Sequence, residues 1–104
     1  IYSEDVADAS IFAMENADYF ENRHYNMGTG IDYSIKELAN NIKSIVGYDG
    51  KISWDTNKPD GTPRKLLDSS RFFNLGWKPS VSLETGLRLT YKWYLKNIEI
   101  KITQ

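Results

Sequence analysis

The sequence predicts a small mixed α/β domain of about four helices joined by short strands. Three observations predict it. A helix with a complete start and stop signal lies in the first half of the chain, over Ser34–Val46. Further helical segments follow Ser3, Asp68 and Ser82, each a residue suited to capping. Between them, His24–Met27 and Lys51–Trp54 are short segments bounded by turn residues, as strands are.

Taken in order, Ser3-Glu4-Asp5-Val6 reads as a helix start, with Ser3 as N-cap and acidic residues in the first turn. This helix runs to about Asn16. Its apolar residues Val6, Ala9, Ile11, Phe12, Ala13 and Met14 cover more than one face, so it needs contacts on two sides. Residues 18–23 form a loop. His24–Met27 is a short strand that exits through Gly28-Thr29-Gly30. A lone Gly-x-Gly lacks the third glycine and the immediately following helix of a dinucleotide fingerprint, so a tight strand exit is the favoured reading. Ser34 with Glu37 forms a capping box. Ile35, Leu38, Ala39, Ile42, Ile45 and Val46 recur at helical spacing as a core-facing stripe, and Gly47 ends the helix. Lys51–Trp54 is a second short strand, with Trp54 read as a core residue rather than a base-stacking one. Lys65–Leu67 is a candidate third. Asp68 caps a short helix over Ser69–Leu75 that Gly76 ends, and Trp77 and Pro79 close this unit by packing. Ser82 caps the last helix, with Leu83, Leu87, Tyr91 and Tyr94 on one stripe and Leu89 and Trp93 on another. Gly86 there permits close approach of a neighbour. The tail Ile98–Ile102 alternates and fits a strand edge, a fraying helix end or disorder.

Composition narrows the function. The 104 residues suffice for one domain, and 40% hydrophobic with 13% aromatic content supports a packed core. A formal net charge of −1 gives no bulk attraction to nucleic acid or an anionic membrane. There is no cysteine, which excludes a disulfide framework and a thiol nucleophile. The single histidine, His24, cannot build a multi-histidine metal site. No apolar run approaches the roughly 20 residues of a membrane span. A cytoplasmic location is the expectation. The chain starts at Ile1 rather than methionine, which suggests a piece of something longer.

The chemistry concentrates in Lys58-Pro59-Asp60-Gly61-Thr62-Pro63-Arg64-Lys65, which carries three cations and a carboxylate within eight residues. Two prolines fix φ and remove donors, so the stretch is a stiff loop. Apolar segments flank it. Such a loop can hold a polar ligand in one pose; it can also be a solvated turn.

Trp54–Asp68, with Pro59-Asp60-Gly61-Thr62-Pro63-Arg64-Lys65 at its centre, resembles the signature of the GDP-L-fucose synthase family, extended short-chain dehydrogenase/reductases that act as 3,5-epimerase/4-reductases. Tyr25–Gly30, Ser34–Ala39, Leu75–Pro79 and Leu83–Leu87 fit the same family. The Gly-Thr-Gly and Leu-Gly-Trp pieces are common among nucleotide-sugar epimerases and dehydratases; the Pro-Asp-Gly-Thr-Pro-Arg-Lys piece is more specific. The resemblance covers roughly Ile1 to Asn97. It implies an α/β Rossmann-type enzyme of which residues 1–104 are the C-terminal substrate-binding domain, with the N-terminal Rossmann domain outside this chain. It implies a GDP-sugar substrate, NADP(H) in the full-length enzyme and none held by this segment, and a homodimer.

By the same resemblance Asp60 and Lys65 match substrate-contacting positions. Their residue types agree. Lys65 and Arg64 can donate to a diphosphate, and Asp60 can accept from sugar or ribose hydroxyls or fix the loop through its own backbone. A further family guanidinium contact falls before Ile1. The chain has no Tyr-x-x-x-Lys spacing and no Gly-x-x-Gly-x-x-Gly loop. The family's acid/base cysteine and histidine also fall upstream. No catalytic, cofactor or metal residue is therefore assigned here, and the segment alone is expected to be inactive. Val6, Ala9, Ala13 and Tyr25–Met27 are candidates for the surface that packs on the missing half, with self-association or marginal stability of the isolated piece as the consequence. The alternatives are the same region of another nucleotide-sugar epimerase or dehydratase, or a non-catalytic sugar-nucleotide-binding or interaction module.

Overall fold

The computed structural model describes the backbone of residues 1–102 and the side chains through residue 98. Along the chain come α1 (Ser3–Glu15), a single 3-10 turn (Ala17–Tyr19), α2 (Ile35–Val46), α3 (Ser70–Asn74) and α4 (Leu83–Ile102). The helices stand where the sequence places them. The expected strands do not form: among the described residues none is in a β-ladder. His24–Met27, Lys51–Trp54 and Lys65–Leu67 are irregular instead. A strand exists only when a second segment pairs with its N–H and C=O groups, and none of these stretches has such a neighbour here. The tail is helical in its backbone to Ile102, so Ile98–Ile102 is not a strand edge. Side chains beyond residue 98, and the backbone of 103–104, lie outside the described residues.

The centre of the molecule is aromatic. Ala9, Phe72 and Trp77 are buried, and Phe12, Ala13, Phe20, Tyr25, Met27 and Phe73 pack against them. Phe72 sits at the hub, with ring centroids 5.1 Å from Trp77, 5.6 Å from Phe20 and 6.0 Å from Phe12. These are edge and tilted contacts, the arrangement favoured by the ring quadrupoles. Trp77 closes the unit as its sequence position predicts, and its Nε1 donates to Asp8 Oδ2 at 2.7 Å. Ala9 and Ala13 were expected on an exposed docking surface; they belong to this core, as do Tyr25 and Met27. The apolar side chains that α1 turns to solvent are Ile11 and Met14.

Capping differs from helix to helix. Tyr2, not Ser3, occupies the N-cap position of α1, and no side chain caps it. The first turn is anchored by Asp5 instead. Its carboxylate is buried and accepts from Ser80 N (3.0 Å), Ser80 Oγ (2.9 Å) and Val81 N (3.1 Å). In α2 the expected box is complete. Ser34 Oγ accepts from Glu37 N at 3.1 Å, and Glu37 Oε2 accepts from Ser34 N at 2.7 Å. Gly47, at φ 69°, closes the helix in the left-handed region. Ser34→Ala is expected to lower the melting midpoint by about 4–8 °C, the usual loss for an N-cap in a domain of this size. Thermal denaturation followed by circular dichroism checks it. α3 begins at Ser70, whose N–H donates to Asp68 Oδ1 at 2.9 Å, so Asp68 caps the helix from one residue further out than its first neighbour. Hydrogen bonds from Ser70 hold the Asp68 carboxyl below its ordinary pKa. At α4, Ser82 Oγ accepts from Thr85 N at 3.1 Å. Gly86 is buried against the Tyr2 ring; a Cβ there would stand 3.2 Å from Tyr2 Cδ2. The close approach expected of this glycine is therefore made to Tyr2.

The molecule is a slab, 51 × 42 × 20 Å, with a radius of gyration of 17.7 Å. A compact chain of this length has a radius of about 13 Å. Its accessible surface is 8816 Å² for 12.0 kDa, where a folded monomer of that mass exposes about 6,000 Å². The excess is apolar in part. α2 packs on α4, yet Ile35 is 69% exposed and Ile42 40%, so the stripe predicted to face a core is only half covered. On α4, Leu83, Leu87 and Tyr91 are partly buried, whereas Tyr94, Leu89 and Trp93 are exposed. Among the described residues no helix is long and apolar enough to cross a membrane.

Candidate functional site

The charged loop lies open on one side of the slab. Every residue from Trp54 to Asp68 is exposed. Trp54, expected in the core, is 50% exposed at the entrance to the loop. Asp55 Oδ1 accepts from Asn57 N at 3.0 Å, an Asx turn that sets the direction of the chain into Lys58. Asp55, rather than Asp60, thus fixes the loop through a neighbouring backbone amide. The peptide bonds of the loop are trans, and Gly61 keeps a negative φ with nothing within 4 Å of a Cβ placed on it. The loop is shaped by its prolines and the Asx turn, with free space around its middle.

Of the three sequence-predicted site residues, one has a partner. Arg64 Nε donates to Asp32 Oδ2 at 2.8 Å, across 32 positions of sequence. Asp32 is itself fixed, since its Oδ1 accepts from Tyr33 N at 3.0 Å. The Asp60 and Lys65 side chains make no hydrogen bond or ion pair among the described residues, and no contact draws them to Arg64. Sequence reasoning missed Asp32. No periodicity links it to Arg64; only its place in an irregular segment beside the loop does so.

That segment also borders a cleft of about 740 Å³. Thr29, Ile31 and Tyr33 line it, facing Tyr2, Phe73 and Leu87. Asp32, between two of these residues, is not in the lining and reaches Arg64 instead. None of Asp60, Arg64 and Lys65 lines the cleft. The cleft belongs to the junction of α1, α4 and the 29–33 segment, and the charged loop is a separate, open surface. We place the candidate site at the loop, because that is where unpaired donors and an unpaired acceptor are concentrated.

Gly28-Thr29-Gly30 behaves as a tight turn. Gly30 has φ 71°, and a Cβ on it would meet the Phe73 ring at 3.4 Å. A Cβ on Gly28 would stand 3.0 Å from Ser69 Oγ, a buried hydroxyl with no partner. Protein atoms face both glycines where a side chain would stand, so close packing accounts for a glycine at each position. His24 is exposed, and among the described residues no cluster of histidine, aspartate and glutamate could hold a metal.

No family model matches the sequence. Individual relatives do. GDP-L-fucose synthase 1 of Arabidopsis thaliana is 50% identical over 98 residues, covering 94% of this chain and 30% of the relative. GDP-L-fucose synthase of Escherichia coli K12 is 49% identical over 104 residues, covering 93% of this chain and 32% of the relative. Among solved structures, a GDP-mannoheptose C4 reductase from Campylobacter jejuni with NADP bound superposes with a TM-score of 0.77 at 42% identity, over 90% of this chain and 30% of that one. The chain thus spans about three-tenths of the length of the proteins it matches.

Proposed function

We propose that this chain, which aligns over more than nine-tenths of its length with a segment of the GDP-L-fucose synthases, is the substrate-binding portion of such an enzyme. The observation that carries the reading is identity near one half across more than nine-tenths of the chain, including the exposed cationic loop. The reaction of the whole enzyme is then conversion of GDP-4-keto-6-deoxy-D-mannose to GDP-L-fucose by 3,5-epimerisation and NADPH-dependent 4-reduction. The chain's part in it is recognition. Lys65 and Arg64 donate to the diphosphate, and Asp60 accepts from hydroxyls. The reading assigns the nicotinamide site and the acid/base groups to the rest of the enzyme. NADP bound to a structural relative supports the choice of cofactor. The excess surface of the slab supports a covering domain, and the exposed faces of α2 and α4 are where such a domain would find apolar area. A homodimeric enzyme in the cytoplasm completes the reading.

The test is steady-state kinetics of the intact enzyme. Lys65→Ala is expected to raise KM for the 4-keto sugar nucleotide by about 10–100-fold, the loss of one charge-assisted contact. With kcat little changed, the lost interaction is binding that ground and transition states share. KM for NADPH should stay constant. Asp60→Asn should act in the same direction with a smaller effect. A KM for the sugar nucleotide that neither substitution moves would remove the loop from the site. The segment by itself should oxidise no NADPH when given the same substrate.

A further inference from the structure

The geometry points to Asp32 as a positioning residue for Arg64, setting the guanidinium in the pose that meets a diphosphate. The inference rests on the substrate-binding reading and deepens it. Three observations carry it. First, Arg64 engages Asp32 through Nε, and no contact among the described residues uses its two terminal nitrogens. An arginine held by its inner nitrogen presents the outer pair as a fork, the geometry that matches phosphate oxygens. Second, Asp32 is not free to follow Arg64, since its other oxygen is tied to Tyr33 N at 3.0 Å. Third, Thr29, Ile31 and Tyr33, its neighbours in the same segment, line the cleft while Asp32 does not, so Asp32 is the residue through which this segment meets the loop.

Arg64 is the one loop cation so restrained. A free arginine loses the rotamer freedom of a long side chain on binding, and a restrained one has already lost much of it. Against this stands the charge of Asp32, which repels a diphosphate. Both groups are substantially exposed, so the high local dielectric weakens this repulsion. Orientation acts on the contact itself and is taken as the larger effect, which the Asp32→Asn variant tests.

The experiment is calorimetric titration of GDP into the intact enzyme and its variants. Arg64→Ala should weaken GDP binding by about 10–100-fold. Asp32→Asn should weaken it by about 3–10-fold with an unchanged melting midpoint, and Asp32→Glu should restore most of the loss. In the Arg64→Ala background Asp32→Asn should have no further effect, because the two act through one contact. Should Arg64→Ala fail to fold, Arg64→Lys serves as the background, since lysine lacks the fork. Tighter binding in Asp32→Asn would show that charge, not orientation, dominates and would overturn the inference. Additive losses in the double variant would overturn it as well. If Lys65→Ala weakens GDP binding while Arg64→Ala does not, Asp32 loses this role and the substrate-binding reading stands. If neither weakens it, the substrate-binding reading itself fails.

Discussion

Phe72→Ala is expected to cost about 3–5 kcal/mol, the range for truncating a large aromatic in a core. Phe72 is 2% exposed and touches the rings of Phe12, Phe20 and Trp77. Among the described residues, Ala9 and Trp77 are the hydrophobic side chains buried with it. The side chains around it, Phe12, Ala13, Phe20, Tyr25, Met27 and Phe73, are only partly buried and leave the space open to water. The loss therefore approaches the whole stability of a small domain, about 5 kcal/mol at the lower end. Phe72→Leu keeps most of the volume and should cost about 1–1.5 kcal/mol. Urea unfolding followed by far-UV circular dichroism compares the two. Equal midpoints for the alanine and leucine variants would show that the rings do not form a single packed hub.

Asp5→Ala is the second large effect, about 2–4 kcal/mol. Three donors, Ser80 N, Ser80 Oγ and Val81 N, lose the buried acceptor that ties the start of α1 to residues 80–81. Asp5→Asn is not a mild change, because both carboxylate oxygens accept and the amide nitrogen cannot. The pH dependence follows. Burial by itself would raise the Asp5 pKa, but the hydrogen bonds from Ser80 and Val81 together outweigh it and hold the carboxyl below its ordinary value. A folded pKa below the unfolded one means that the carboxylate form stabilises the fold. That contribution is complete above the unfolded value, near 4, and is lost as pH falls through the folded value. The wild-type midpoint should therefore drop below about pH 4 more steeply than that of Asp5→Ala. Parallel profiles for the two would place the acid sensitivity elsewhere.

The parts legible in the sequence are those decided by neighbours in the chain. Ser34, Glu37 and Gly47 set the ends of α2 within one turn each, and sequence and structure agree there. Gly86 announced a close contact without naming its partner, Tyr2. The parts that were not legible depend on distant segments. Ser3 looked like a cap, yet Asp5 holds the first turn of α1 through residues 75 positions away. The alternation in Lys51–Trp54 says which side chains could share a face and nothing about whether a paired backbone lies alongside. Ile35 and Ile42 sit at helical spacing with Leu38 and Ile45, but a stripe does not reveal how much of it this chain covers. The site shows the same division. The cationic loop stands out by composition, while Asp32 could be found only once the fold set it against Arg64.

The ties from Asp5 to Ser80 and from Tyr2 to Gly86 clasp the chain into a ring. The entropy of closing such a ring grows only logarithmically, and doubling its length adds about 0.6 kcal/mol. Residues added or removed in the exposed stretch 55–67 leave the clasp unstrained. The charged loop lies in that stretch. Its length can therefore change while the aromatic hub and the helix starts stay in place. A scaffold fastened at its ends leaves its middle free to vary.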